Sequence, residues 1–255
     1  MARFDAAQIE RETSVASVEI FESLSSTNDY AITRVGDENL LLPLLVIAEE
    51  QIAGRGRGAN QWWSSEGALT FSLLVDGLDN VPAAFLSLAV GVGLCDAVRS
   101  MGGGFDAGLK WPNDIFLGDK KAGGILIECP AAATGQFVIG IGLNVNNSIA
   151  DAPPEVVARA TSLSDVAGEL LDSQRVLIML LQHVEDAIAA IDADLQGLQR
   201  RWQELCILSG RQVTLETSEG TLTGICQGIA DDGALLVETP QGQKRCLSGS
   251  VLSFR

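Results

Sequence analysis

Three short segments of this chain hold residue types whose spacing suits chemistry on a charged ligand. The first is Gln51-Ile52-Ala53-Gly54-Arg55-Gly56-Arg57-Gly58. Alternating glycine and arginine lets backbone amides and guanidinium forks converge on one anion, a phosphate or a carboxylate. An exposed flexible loop is the plainer alternative. The second is Gly108-Leu109-Lys110-Trp111-Pro112-Asn113-Asp114. In an extended strand Lys110 points away from Leu109 and Trp111, and Pro112 holds Trp111 extended. Such a lysine is either a fixed positive charge for a developing oxyanion or phosphate or a side chain that reaches back to solvent. The third is Lys120-Lys121-Ala122-Gly123-Gly124-Ile125-Leu126-Ile127-Glu128, two cations on a turn followed by small residues at the start of a strand. Adjacent glycines admit a ligand close to the backbone or relieve a crowded hairpin.

The elements that must carry these segments follow from local pattern. Strands are expected at 15–22, 44–49, 68–75, 109–111, 114–117, 124–128 and 136–145, with Gly118 and Asp119 as a turn. In the last of these, Gly140 and Gly142 alternate on one face and leave room beside Asn144. A dinucleotide fingerprint is excluded there, since the third glycine and the following helix are missing. Ser26 or Thr27 caps a helix, because a hydroxyl accepts from the free amides of a first turn. Asn80 and Pro82 start another that runs to about Met101, stopped by Gly102, Gly103 and Gly104. From Ser173 the period is helical, with Leu177, Leu180, Leu181, Val184, Ile188 and Ile191 on one stripe and His183 beside it, read as structural. After Cys206 come about five short β runs with tight turns, a small barrel. The larger part mixes strands and helices without regular βαβ alternation, so the fold class is α+β. The domains expected are residues 1–207 and 208–255.

Composition narrows the function classes. The 255 residues carry 17 Lys and Arg against 33 Asp and Glu, a formal charge of −16, which repels phosphate backbones unless basic residues cluster. The apolar run Leu40–Ala48 contains Pro43 and is far shorter than the roughly 18 residues that span a bilayer. No secretory leader is read at the amino terminus. Five widely spaced cysteines without C-x-x-C argue against a disulfide framework or zinc ribbon. A reducing cytoplasm fits. With one histidine, His183, a Ser-His-Asp triad has a single residue to build on.

Taken together, the segments resemble the catalytic core of the biotin protein ligases. The resemblance rests on STN at Ser26–Asn28, QxAGRGR at Gln51–Arg57, WxSxxGxL at Trp62–Leu69, KWPND at Lys110–Asp114, KxxGIL at Lys121–Leu126 and GIGLNVN at Gly140–Asn146, with ATSL at Ala160–Leu163. It implies a mixed-sheet catalytic domain flanked by helices, biotin/lipoate ligase-like and related to class II aminoacyl-tRNA synthetases, followed by a small SH3-like barrel. It also implies the reaction. Biotin's carboxylate joins the α-phosphate of ATP, pyrophosphate leaves, and the acyl group passes to a lysine of a biotin carboxyl carrier protein or domain of acetyl-CoA carboxylase or another biotin-dependent carboxylase. No enzyme nucleophile is needed, so positioning and charge carry the catalysis.

By this resemblance Ser26, Thr27, Asn28 and Gln51 hydrogen-bond the biotin head group, and Gly123 and Gly124 admit its rings. Arg55, Gly56 and Arg57 order the loop over carboxylate and phosphates. Lys110 bridges the two and, with Arg55 and Arg57, is the catalytic set. Trp62 stacks near adenine, Asn113 and Lys121 join the ATP site, and Asn144 lies near the adenylate and its Mg2+, which travels with the ATP phosphates. The chain departs from the family at Gly58-Ala59-Asn60, which replaces further basic residues and puts loop-mediated dimerisation in doubt, and at Ser65, where a proline is common. The STN motif starts at residue 26, so the amino-terminal helix-turn-helix of bifunctional members is not expected, nor is DNA or membrane binding; a homodimer stays open. The competing readings are a lipoate–protein ligase of the same fold, an octanoyltransferase built on Cys129, and a non-catalytic binding module.

Overall fold

A computed structural model describes residues 3–78, 81–131, 135–230 and 232–255. Its strands in the larger part are β1 (Ser17–Leu24), β2 (Leu44–Gln51), β3 (Leu69–Val75), β4 (Ala107–Lys110), β5 (Asp114–Leu117), β6 (Lys120–Glu128) and β7 (Phe137–Leu143). They form one sheet in the order β1-β2-β3-β7-β6-β5-β4. β1 lies parallel to β2 and the remaining pairs are antiparallel. The α+β class is the one observed.

Because side chains alternate along a strand, Leu45, Ile47, Phe71, Leu73, Ile125, Ile139 and Ile141 face one side. There they join a single core with α3 (Ala83–Ser100), α6 (Ser173–Ala193) and α7 (Leu195–Leu205). Each such side chain contributes about 1.5–3 kcal/mol on full burial, so this face drives folding. Glycine seats α3 closely on its neighbours. A β-carbon at Gly91 would stand 2.8 Å from Leu109 Cδ2, and one at Gly93 2.5 Å from the His183 carbonyl oxygen. α3 is long and apolar enough to cross a membrane, yet 72% of it is buried inside the fold.

Several boundaries differ from the sequence expectations. β6 begins at Lys120, so both lysines lie in the strand rather than on the turn; Gly118, at φ +56°, and Asp119 close the hairpin and pairing resumes at once. β4 ends at Lys110, leaving Trp111 beyond the strand, and the Trp111–Pro112 peptide is cis. Helix α3 starts at Ala83 with Pro82 in the capping position; Asn80 lies outside the described residues. Three helices were not read from the pattern, α1 (Ala6–Glu12), α4 (Pro154–Val157) and α5 (Leu163–Ala167), and the helical stretch between Ser173 and Cys206 is two helices, α6 and α7, parted at Asp194.

The C-terminal strands are β8 (Gln212–Thr217), β9 (Gly220–Ile229), β10 (Leu235–Thr239), β11 (Gly242–Cys246) and β12 (Ser250–Phe254). They make a five-stranded antiparallel sheet, β11-β10-β9-β8-β12. Register shifts at Leu236/Val237 and Val251/Ser253 bend it. Trp111 Nε1 donates to the Gly233 carbonyl at 3.3 Å, tying this sheet to the end of β4.

Candidate functional site

Residues directly opposite one another in a sheet share a face. One lateral row runs Ala48, Thr70, Gly142, Gly124, Asp114, Lys110 across six strands, and the next runs Val46, Ser72, Gly140, Leu126. These rows lie on the face away from the core helices. With neighbouring strands about 4.8 Å apart, Gly142 and Gly124 form a floor without side chains between hydroxyls on one side and charges on the other. Gly123 points the other way. A β-carbon there would meet the Gly142 carbonyl oxygen at 2.8 Å and Leu143 Cδ1 at 3.0 Å, so only Gly124 of the pair is on the open face.

Helix α2 (Thr27–Thr33) borders one end of the floor, capped by Ser26, whose hydroxyl accepts from Asp29 N. Thr27 donates from both its amide and its hydroxyl to Gln51 Oε1, at 2.7 and 3.1 Å. That fixes the Gln51 amide with its nitrogen turned away from Thr27. Asn28, only 3% exposed, spends its amide inside the fold. Its Nδ2 donates to the Leu126 carbonyl at 3.3 Å and Glu128 Oε2 at 2.8 Å, and its Oδ1 accepts from Ser72 at 2.6 Å.

The Arg-Gly segment is a small hairpin. Arg55 bridges Gln61, Gly56 N donates to Asn60 O and Trp62 N to Gly54 O, both at 2.9 Å. Glycine is required at 54, where a β-carbon would lie 2.6 Å from the Trp62 carbonyl oxygen. Arg55 pairs with Glu128 and, at 2.6 Å, with Asp29 Oδ1; the hydrogen bonds to Glu128 above all raise its pKa. Arg57 reaches the opposite end, donating to the Gly249 carbonyl at 2.9 Å and to Asn113 Oδ1 at 3.5 Å. Burial lowers its pKa. The hairpin therefore straddles the floor.

At the charged end Lys121 Nζ is 2.5 Å from Asp114 Oδ1 and stands 3.5 Å from where a Gly124 β-carbon would be. Asn113 Nδ2 donates to the Ile125 carbonyl at 2.6 Å. Lys110 Nζ donates to the Val251 carbonyl at 3.2 Å, and burial first of all lowers its pKa. The cations do not form a bare positive pocket: Glu128, Asp29 and Asp114 balance Arg55 and Lys121. Those three carboxylates are the site groups that sequence reasoning did not single out.

The room beside Asn144 expected from Gly140 and Gly142 is filled. A β-carbon at Gly140 would stand 2.0 Å from Asn28 Oδ1, and one at Gly142 2.5 Å from Trp62 Cε2. Trp62 lies on the floor itself, its Nε1 buried without a hydrogen-bond partner among the described residues. Asn144 sits at the end of β7, donating to the Thr161 carbonyl at 3.1 Å and accepting from Asn147 at 3.0 Å. Two surface clefts lie off this face: about 330 Å³ beside Gln8, Arg175 and Met179, and about 410 Å³ beside Thr214, Thr223 and Phe254. His183 is on α6, with Nδ1 2.9 Å from the Met179 carbonyl.

A mixed sheet with one helix-covered face, a glycine floor on the other and a C-terminal β sheet defines the biotin/lipoate ligase class. Residues 20–146 match the biotin/lipoate A/B protein ligase family, and residues 208–252 the biotin protein ligase C terminal domain. The chain is 31% identical to the bifunctional ligase/repressor BirA of Escherichia coli, covering 97% of this chain and 77% of that protein. It is 30% identical to the biotin–[acetyl-CoA-carboxylase] ligase of Mycobacterium tuberculosis, over 93% and 89% respectively. The biotin protein ligase of Aquifex aeolicus, solved in complex with biotin and ATP, superposes with a TM-score of 0.82 at 28% identity, over 94% of this chain and 99% of that one. The chain belongs to the biotin/lipoate A/B protein ligase family, among its biotin protein ligases.

Proposed function

We propose that the chain is an ATP-dependent biotin–protein ligase. Biotin's carboxylate oxygen attacks the α-phosphorus of ATP, the bond to pyrophosphate breaks, and biotinyl-5'-AMP forms. The ε-amine of an acceptor lysine then attacks the acyl carbon, AMP leaves, and the amine's proton passes to solvent. The observation that carries the reading is the lateral row in which a floor of two glycines separates Thr70 from Asp114 and Lys110. The Trp62 ring covers Gly142, so a flat ring system lies over Gly124 at the edge of that indole, with its polar head toward Thr27 and Gln51 and its carboxylate toward the cations.

Thr27 and Gln51 serve the head group, Gln51 through its amide nitrogen. Ser26 and Asn28 act by holding α2 in place, since Ser26 caps it and Asn28 is bonded to the two strands β3 and β6. Gly124 is the close-approach residue. Lys110, Lys121 and Arg57 neutralise the carboxylate and phosphates, Asn113 supports Arg57, Arg55 and Gly56 set the hairpin, and Trp62 offers its ring to adenine. Asn144 braces the segment after α4. Mg2+ enters as part of the ATP substrate, carried by its phosphates. The acceptor is the biotin carboxyl carrier protein or domain of acetyl-CoA carboxylase or another biotin-dependent carboxylase, in the cytoplasm; a homodimer is compatible with this reading.

The test is ATP–pyrophosphate exchange with biotin and lipoate side by side. Exchange with biotin alone is expected, and exchange with lipoate alone would overturn the substrate assignment.

A further inference from the structure

Lys110 is held by the last strand of the C-terminal sheet. Its Nζ lies 5.7 Å from the ring centroid of Phe116 on β5 and 5.8 Å from that of Phe254 on β12. The two rings meet edge-on, 6.4 Å apart at 77°. Among the described residues the ammonium makes one hydrogen bond, to Val251 of the same strand β12. Arg57 reaches the Gly249 carbonyl immediately before it. Residues 249–254 therefore index two of the proposed phosphate-facing cations. We propose that Phe254 is a positioning residue for Lys110, a cation–π bracket from the C-terminal sheet that fixes the ammonium for the ATP phosphates. The proposal rests on the ligase reading above.

The chemistry favours rings over an acid at this position. A carboxylate partner neutralises an ammonium and must be displaced by an incoming phosphate, as Asp114 must be from Lys121. An aromatic face attracts the cation through its quadrupole and leaves it charged. An ammonium has three donors, so with one on Val251 the others remain for phosphate oxygens. Charge held in place before the substrate arrives is worth more in a water-poor site than charge that must be reorganised. Asp114, Lys121 and Arg159 are the other charged groups that act on Lys110. Arg211 packs on the Phe254 ring at 5.6 Å and holds it within the C-terminal sheet. A hydrophobic plug would be a simpler role for Phe254, and leucine would fill it equally well.

Steady-state exchange kinetics on Phe254→Leu and Phe254→Tyr, beside thermal melts, separate the two roles. A cation–π contact of this kind corresponds to roughly two- to thirty-fold in affinity. The Leu variant is expected to raise KM for MgATP by that factor with KM for biotin and Tm unchanged, and the Tyr variant to restore it. An unchanged KM for MgATP in Phe254→Leu, or a loss that Tyr does not rescue, overturns the proposal. If the wild-type protein shows no exchange, the ligase reading fails, and NMR titration of the 13C-dimethylated Lys110 amine decides the bracket by itself. A midpoint lowered in Leu and kept in Tyr upholds it; equal midpoints overturn it.

Discussion

Glu128 accepts hydrogen bonds from both terminal nitrogens of Arg55, at 3.0 and 2.6 Å, and so closes the Arg-Gly hairpin onto the end of β6. The same carboxylate takes the buried amide of Asn28 at 2.8 Å. The two contacts differ in value. The Arg55 side chain is 38% exposed, and an ion pair so placed contributes about 0–1 kcal/mol. The Asn28 amide is inside the fold, where loss of a partner costs about 1–3 kcal/mol. Glu128→Gln keeps an oxygen for Asn28 and should lower the unfolding free energy by less than about 1 kcal/mol, whereas Glu128→Leu should cost about 1–3 kcal/mol. Urea unfolding decides; equal losses would put the weight on the ion pair.

Three glycines of the open face separate folding from binding. Gly140→Ala drives a methyl into Asn28 and Gly142→Ala one into the Trp62 ring. Overpacking of this kind costs about 1–3 kcal/mol, so both variants should melt earlier. Gly124→Ala meets nothing nearer than 3.5 Å and should melt like the wild type, yet its methyl rises from the floor where the ligand lies. Calorimetric titration with biotin is expected to show at least a tenfold weaker Kd, about 1.4 kcal/mol. Unaltered binding would move the ligand off this strand.

What was legible in the residues was whatever depends on neighbours in sequence. The apolar, strand-like runs at 44–49 and 68–75, the cap at Ser26 and the apolar stripe of α6 each state their own conformation. The convergence of Gln51, Thr27, Arg55 and Lys121 was legible only through the family resemblance. Glu128 was not, because its partner Arg55 is 73 residues away and one acid at a strand end is an ordinary exposed residue. The two glycine faces were confused for a related reason: which of Gly123 and Gly124 looks at the ligand depends on register against β7, and a one-residue shift exchanges the faces. Val251 and Gly249 act through carbonyls that every residue possesses, so no side-chain pattern could mark them.

Lys110 should limit the reaction at alkaline pH. Burial disfavours its charged form and lowers its pKa below the usual 10.5, so the ammonium is lost earlier than from a free lysine. Between the folded and unfolded values the unfolded chain binds the extra proton, and stability rises with pH there. Activity and stability should therefore part company. Exchange falls on the alkaline side while this lysine's contribution to stability improves, and Lys110→Arg, charged throughout, should flatten the alkaline limb of whatever activity it retains. Lys110→Ala should abolish or severely reduce exchange. A wild-type alkaline limb in Lys110→Arg would assign that limb to another group.

Cys206, just past α7, and Cys226, on β9, are both buried and share a hydrogen bond across the junction of the two sheets. That bond is the main reason the Cys206 thiol is lowered and the Cys226 thiol raised; the pair titrates as one unit. The signs give a stability profile. Between the lowered Cys206 value and the ordinary thiol value of 9.0 the folded chain has already released the Cys206 proton that the unfolded chain still binds, so stability rises with pH. Above it the unfolded chain ionises at Cys226 while the fold keeps that proton, and stability falls. Cys95, raised by burial, adds to the fall. Cys226→Ala removes the donor, so urea midpoints of that variant should lose the rising limb between neutral and mildly alkaline pH while keeping the Cys95 share of the decline. A rising limb that survives in Cys226→Ala would mean that the backbone amides of Leu208 and Ser209, which also lower Cys206, are sufficient without the second thiol.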